Sequence, residues 1–147
     1  MDSLSFDLKL IFAILNSKVS AQLLRHFAGN FKLYGVALTP EQWTVLQCLW
    51  EQDGQTQQEL CNKTLRDKPG MTRLIDAMEK ANLVVRIQDT SDRRNNLVYL
   101  THAAREMEEK CRFVANKTLR EALRGLGIEE PRVAQEVLRK VFDNIKQ

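Results

Sequence analysis

The residues best suited by type and spacing to do chemistry are Arg73 and the run Asp92-Arg93-Arg94. A guanidinium offers five N–H donors in a planar fork, which suits a guanine edge, a phosphate or a carboxylate. The two adjacent arginines lie in a polar stretch, Asp89 to Asn96, where packing does not explain them. An arginine at such a tip gains from the strong negative potential of a narrow minor groove. Asp92 is close enough in sequence to hold one of the guanidiniums by a bidentate salt bridge and set its direction. The competing reading is a solvated turn carrying an incidental ion pair. Arg86 has two readings that stand level, a phosphate contact and an internal ion pair.

Catalytic chemistry finds no such constellation. The chain has two histidines, His26 and His102, and neither has a Cys or Ser companion in a recognisable nucleophile–base motif. No Walker loop and no GxGxxG is present. The chain is therefore not expected to be an enzyme, and no cofactor is expected. Cys48, Cys61 and Cys111 are an odd number without CxxC spacing, which argues against a disulfide framework and a zinc site. They read as small buried hydrophobes in a reducing compartment. If one is reactive, Cys61 is the best placed, early in a helix and near Lys63.

Charge is distributed unevenly over the 147 residues, whose net charge is +3. Residues 41–60 carry four acids and no base, whereas residues 61–101 carry eight bases against five acids. The positive excess thus sits in the middle of the chain, where a phosphate-facing surface would need it. The N-terminus lacks the pattern of a secretory signal, and the Leu8–Leu15 stretch is too short and too interrupted to span a bilayer. A cytoplasmic protein that does not enter the membrane is expected.

The elements that must hold these residues follow from periodicity and punctuation. Apolar residues at Leu8, Ile11, Leu15, Val19, Leu23, Phe27, Phe31 and Tyr34 predict one long amphipathic helix, ended by Gly35. Thr39-Pro40-Glu41-Gln42 reads as a capping box, starting a helix with Trp43, Leu46, Leu49 and Trp50 inward and Gly54 closing it. Thr56-Gln57-Gln58-Glu59 reads as a second box, opening a short helix with Leu60, Cys61 and Leu65 inward. Asp67 starts the next helix, with Met71, Leu74, Ile75 and Met78 inward and Asn82 as its stop. Leu83–Gln88 and Leu97–Leu100 predict a two-stranded hairpin. Thr101 caps a long helix predicted through Leu126, and Glu130-Pro131 restarts the chain into a last one with Val133, Val137, Leu138, Val141, Phe142 and Ile145.

Two short helices, a tight turn at Arg66-Asp67 and a charged hairpin make a winged helix-turn-helix, so the fold class is mainly α with a small β wing. A helix of this kind enters the major groove with its early outer residues on base edges. Those residues are Lys68, Gly70, Thr72, Arg73 and Asp76. Arg73 suits guanine, Thr72 suits a phosphate or a thymine methyl, and the helix start at Asp67–Gly70 offers backbone amides to phosphate.

The same residues resemble the multiple-antibiotic-resistance regulator (MarR) family. The resemblance is carried by Leu38-Thr39-Pro40-Glu41-Gln42, Thr56-Gln57-Gln58-Glu59-Leu60, Thr72-Arg73-Leu74-Ile75-Asp76, Glu79-Lys80, Leu83-Val84-Val85-Arg86, Asp92-Arg93-Arg94 and Leu100-Thr101. It departs at Asn82, where glycine is frequent in the family, and at His102-Ala103-Ala104, where a glycine-containing helix start is usual. The resemblance implies a homodimer whose terminal helices intertwine and whose two lobes bind double-stranded DNA at a pseudo-palindrome. It also implies repression relieved by a small phenolic or other organic ligand. The expected organisation is a single domain over 1–147. Residues 39–101 are its DNA-binding region, and 1–34 and 102–147 supply the dimerisation helices. The apolar stripes of the terminal helices suit a dimer interface independently of the resemblance, because a small lobe cannot cover them. Two alternatives stand beside this reading: a thiol-based redox-responsive regulator, and a protein-interaction module that does not bind DNA.

Overall fold

The computed structural model describes residues 14–146; residues 1–13 and 147 lie outside the described part. The expected helical positions Leu8 and Ile11 therefore fall outside it. The first described helix, α1, spans Asn16–Leu33 and ends at Gly35, whose φ of +69° is a left-handed conformation that glycine adopts without strain. Helix α2, Pro40–Glu51, starts on the expected capping box. Thr39 Oγ1 accepts the Gln42 amide at 3.1 Å, and Gln42 Oε1 accepts the Thr39 amide at 3.1 Å.

Between α2 and the next helix the chain makes a two-residue strand, β1, at Gln55–Thr56. Helix α3 follows at Gln57–Thr64 and α4 at Lys68–Lys80. Strands β2, Val84–Gln88, and β3, Asn96–Leu100, form the hairpin. The chain closes with α5, His102–Glu106, α6, Glu108–Ala122, and α7, Glu129–Ile145. The mainly α fold with a β wing is as expected, and the hydrophobic core joins the inner faces of α1 to α4, the sheet, α5 and α6. Phe31, Leu46, Leu60, Met71, Ile75, Met78 and Val98 are fully buried in it.

Five local expectations are corrected. The sheet has three strands, in the order β1-β3-β2, because Gln55 pairs with Val98 and Thr56 with Leu97. Two polar residues carry no periodicity to betray a strand. What holds Gln55 there is its fully buried side chain, which donates to the Cys48 and Gln52 carbonyls at 2.8 and 2.6 Å and accepts from Lys63 Nζ at 2.8 Å.

The long helix expected through Leu126 is two helices broken at Met107, and it ends at Ala122. At the break, the Ala104 carbonyl accepts the Met107 amide at 3.2 Å and the Trp50 indole N–H at 3.1 Å. Leu65, expected inward, is 70% exposed; it takes φ 57° to end α3, and that turn swings its side chain outward. At Thr56 only half of the capping box forms: Thr56 Oγ1 accepts the Glu59 amide at 3.1 Å.

Gly54 stands three residues beyond the end of α2 rather than at it, with φ +71°. A Cβ there would meet the Tyr99 ring at 2.6 Å. Asn82, at φ 58°, ends the turn after α4 as expected, asparagine tolerating that conformation.

Candidate nucleic-acid interface

Helix α4 begins on Asp67, whose Oδ1 accepts the Gly70 amide at 2.7 Å while its carbonyl accepts the Met71 amide at 3.0 Å. Pro69 has no amide to give. The cap consumes the Gly70 amide, which narrows the expectation of free amides over Asp67–Gly70 to those of Asp67 and Lys68. Gly70 has a local reason to be glycine, since a Cβ there would stand 2.7 Å from Asp67 Oδ1. Thr72 is half-buried, its hydroxyl donating to the Lys68 carbonyl at 3.0 Å and accepting from Gln57 Nε2 at 3.1 Å. Lys68, Arg73 and Asp76 are exposed along the outer face, opposite the buried Met71, Ile75 and Met78.

Arg86 decides between its two readings. Its Nη1 pairs with Asp76 at 2.8 Å and with Glu79, its Nε donates to Gln57 Oε1 at 3.0 Å, and its Nη2 donates to the Thr72 carbonyl at 3.3 Å. The guanidinium is committed inside the protein, so Arg86 is corrected from a contact residue to an internal one. Asp76, though exposed, is its partner and shares the guanidinium with Glu79.

The β2–β3 loop is a built turn. Asp89 Oδ1 accepts the Ser91 amide and hydroxyl at 3.0 and 2.7 Å, and the Ser91 hydroxyl bond holds the Asp89 carboxyl below the usual range. Gln88 Nε2 donates to the Arg93 carbonyl at 2.8 Å. Arg94 makes the expected fork with Asp92, Nε to Oδ1 at 3.0 Å and Nη2 to Oδ2 at 3.1 Å. That guanidinium lowers the Asp92 pKa, and the carboxylate raises that of Arg94. The Arg94 side chain is nevertheless 89% exposed. The acid orients it and leaves it open to a further acceptor.

Among the described residues, Lys68, Arg73 and Arg93 are held in no ion pair. A cleft of about 500 Å³ joins the wing to the helices, walled by Gln57, Gln58, Lys68, Arg94, Asn95 and Asn96. Sequence pattern does not mark Gln57, Gln58, Asn95 or Asn96 as contact residues. The available clue was their place at a helix start and beside Arg94.

The remaining reactive types are occupied or buried. Cys61 is buried and its thiol donates to the Asp67 carbonyl at 3.7 Å. Burial pushes the Cys48 thiol up and the Cys111 thiol up to about 11. His26 Nε2 lies 3.1 Å from Glu121 Oε2 and His102 Nε2 lies 3.4 Å from Glu106 Oε1. Glu121 also takes Lys117 Nζ at 2.7 Å and Asn30 Nδ2 at 3.3 Å, tying α1 to α6, and chiefly through Lys117 its carboxyl is held low. No group of three or more His, Cys, Asp or Glu able to hold a metal ion occurs among the described residues. No described helix is long and apolar enough to cross a membrane.

The MarR family profile matches residues 38–95. Over 130 residues the chain is 30% identical to YsmB of Bacillus subtilis (strain 168), an uncharacterized HTH-type transcriptional regulator, with 84% of this chain and 89% of YsmB covered. This chain belongs to the MarR family. It is a DNA-binding transcriptional regulator with the winged-helix fold of that family. A probable transcriptional regulator from Pseudomonas aeruginosa is 26% identical, with a TM-score of 0.81 over 88% of this chain and 96% of its own. A cysteine-to-serine variant of MarR from E. coli, complexed with operator DNA, shares the fold at 23% identity. It has a TM-score of 0.83 over 96% of this MarR-family chain and 99% of the other.

Proposed function

We propose that this MarR-family regulator binds a pseudo-palindromic operator as a homodimer and represses transcription from it. In this reading Lys68 and Arg73 on α4 reach a major groove, and Arg93 and Arg94 at the wing tip reach the adjacent minor groove. Gly70 and Thr72 keep the start of α4 in shape, and Asp92 aims Arg94. The observation that carries the reading is the pairing of an exposed arginine pre-aimed by Asp92 with a basic helix face across one cleft. Asymmetric, outward-facing cations of this kind suit phosphates and groove edges.

The homodimer is supported by α7, none of whose residues is buried although Val133, Val137, Leu138, Phe142 and Ile145 are large and apolar. Ile14, Leu15 and Val19 present a second exposed apolar stripe on and just before α1. Two such stripes on a single copy suit a symmetric, self-complementary interface. The likeness of the MarR–operator complex supports DNA as the partner.

Release by a small organic ligand is supported by a cleft of about 590 Å³ between α1 and α6. It is lined by Tyr34, Phe113 and His26, by Lys117, Arg120 and Arg124, and by Glu121. An aromatic edge beside Arg120 and Arg124, with Lys117 taken by Glu121, suits a flat anion. The thiol-based alternative has less behind it, because burial keeps Cys48 and Cys111 protonated and thiolate is the reactive form.

Footprinting on the DNA upstream of the protein's own gene, with and without phenolic compounds, tests the reading. A protected inverted repeat that opens on adding a phenol is the expected result. Protection of no site, or binding that ignores salt, counts against it.

A further inference from the structure

Arg86 sits on β2, yet its guanidinium is bonded to two helices at once. It reaches Gln57 of α3, Asp76, Glu79 and the Thr72 carbonyl of α4, all from the stem of the wing. Gln57 closes the circuit by donating to Thr72 Oγ1 at 3.1 Å. Only 17% of the Arg86 side chain is exposed.

Its neighbours along the strand give little help in holding the wing. Val84 is buried at the base, whereas Val85 faces solvent and Ile87, the next residue toward the tip, is 52% exposed. The β2–β3 ladder stiffens the hairpin, and the pairing with β1 and the buried Val98 and Leu100 hold β3 to the core, whereas on the β2 side the polar link to α4 runs through Arg86. Beyond Val84, the packed side chain of β2 is Arg86. A planar fork with several donors fixes such an angle in a way that a point charge does not. Arg86 also pairs with Asp76 and Glu79 and offsets one of the two negative charges that the outer side of α4 would otherwise present to the phosphates.

We propose that Arg86 is a positioning residue. It locks the wing to α4 so that the two contact surfaces engage DNA as one rigid unit, and it thereby sets sequence discrimination without touching DNA. The inference rests on the reading of α4 and the wing as the DNA-contacting surfaces.

The test uses the purified full chain and two duplexes of equal length. One is selected by the protein from a randomised pool and the other is its scrambled counterpart, both titrated by fluorescence anisotropy across a salt series. Arg86→Lys keeps the charge and loses the fork. Its ratio of selected to scrambled affinity is expected to fall about tenfold, with the slope of log affinity against log salt unchanged. Combined with Arg94→Ala, its effect is expected to be less than additive, because an unlocked wing has already lost part of the Arg94 contact.

A salt slope reduced by about one would show Arg86 meeting a phosphate and would overturn the proposal. A ratio left intact in a folded Arg86→Lys protein overturns it too. If thermal melting shows that variant unfolded, Gln57→Met removes two bonds of the circuit, from Arg86 Nε and to Thr72 Oγ1, and leaves the ion pairs with Asp76 and Glu79 in place. A smaller fall in ratio is then expected, and no fall overturns the proposal. Arg93→Ala separates the two levels. If it weakens binding to both duplexes, the DNA-contact reading stands whatever Arg86 does. If wild type fails to discriminate and Arg93→Ala has no effect, that reading falls and the inference with it.

Discussion

At the scale of single residues, the wing tip is where sequence and structure meet most directly. Asp92 and Arg94 are two positions apart, so their fork is a local matter, and the adjacency of types was enough to anticipate it. Arg86 was undecidable from its own neighbours. Its partners Gln57, Asp76 and Glu79 come from other elements, and only folding brings them within 3 Å or so. We expect Arg93→Ala or Arg94→Ala to weaken operator binding by at least about tenfold and to lower the salt slope, read by anisotropy titration. Intact binding in both variants would remove the wing from the interface.

Cys111 gives a prediction in pH. Its thiol pKa is raised from an ordinary 9.0 to about 11 by burial, so the folded state disfavours thiolate. The folded form is therefore favoured below pH 9, and that advantage is lost as pH rises through about 11. The urea midpoint should decline across this window, and by less in Cys111→Ala. An equal decline in both proteins would assign the effect to other groups.

At the scale of elements, caps and stops were the most legible features. The Thr39–Gln42 box, the Asp67 cap and the left-handed Asn82 each depend on residues within a few positions, which a linear reading can see. The break at Met107 and strand β1 were not legible. The first depends on Trp50 claiming a carbonyl of α5, and the second on Gln55 pairing with a strand more than forty residues away. Gly54 joins both kinds. Its turn is local, but the space beside it is filled by Tyr99 of β3. Gly54→Ala adds a positive-φ penalty to a contact with that ring, and we expect a loss of about 1 to 3 kcal/mol in equilibrium denaturation. A loss well below this would mean that the Tyr99 ring turns aside freely.

At the scale of the whole molecule, the apolar residues divide into two sets. One fills the lobe around Leu46, Met71 and Ile75; the other, on α7 and the start of α1, is left facing out. Val137→Asp or Phe142→Asp puts a charge into the second set. Either should turn a dimer into a monomer in sedimentation without changing the melting of the lobe greatly, while operator affinity falls because half-sites no longer bind jointly. A dimer that survives both changes would place the interface elsewhere.

The sequence by itself determined the helical periods, the caps, the charged wing tip and the outer face of α4, because each is written in residues that are neighbours along the chain or one helical turn apart. The tertiary structure alone decided that Arg86 turns inward, that the sheet has a third strand, and that the helix after the wing breaks. Those outcomes depend on which distant groups compete for the same carbonyl, carboxylate or cavity, and that competition exists only once the chain has folded.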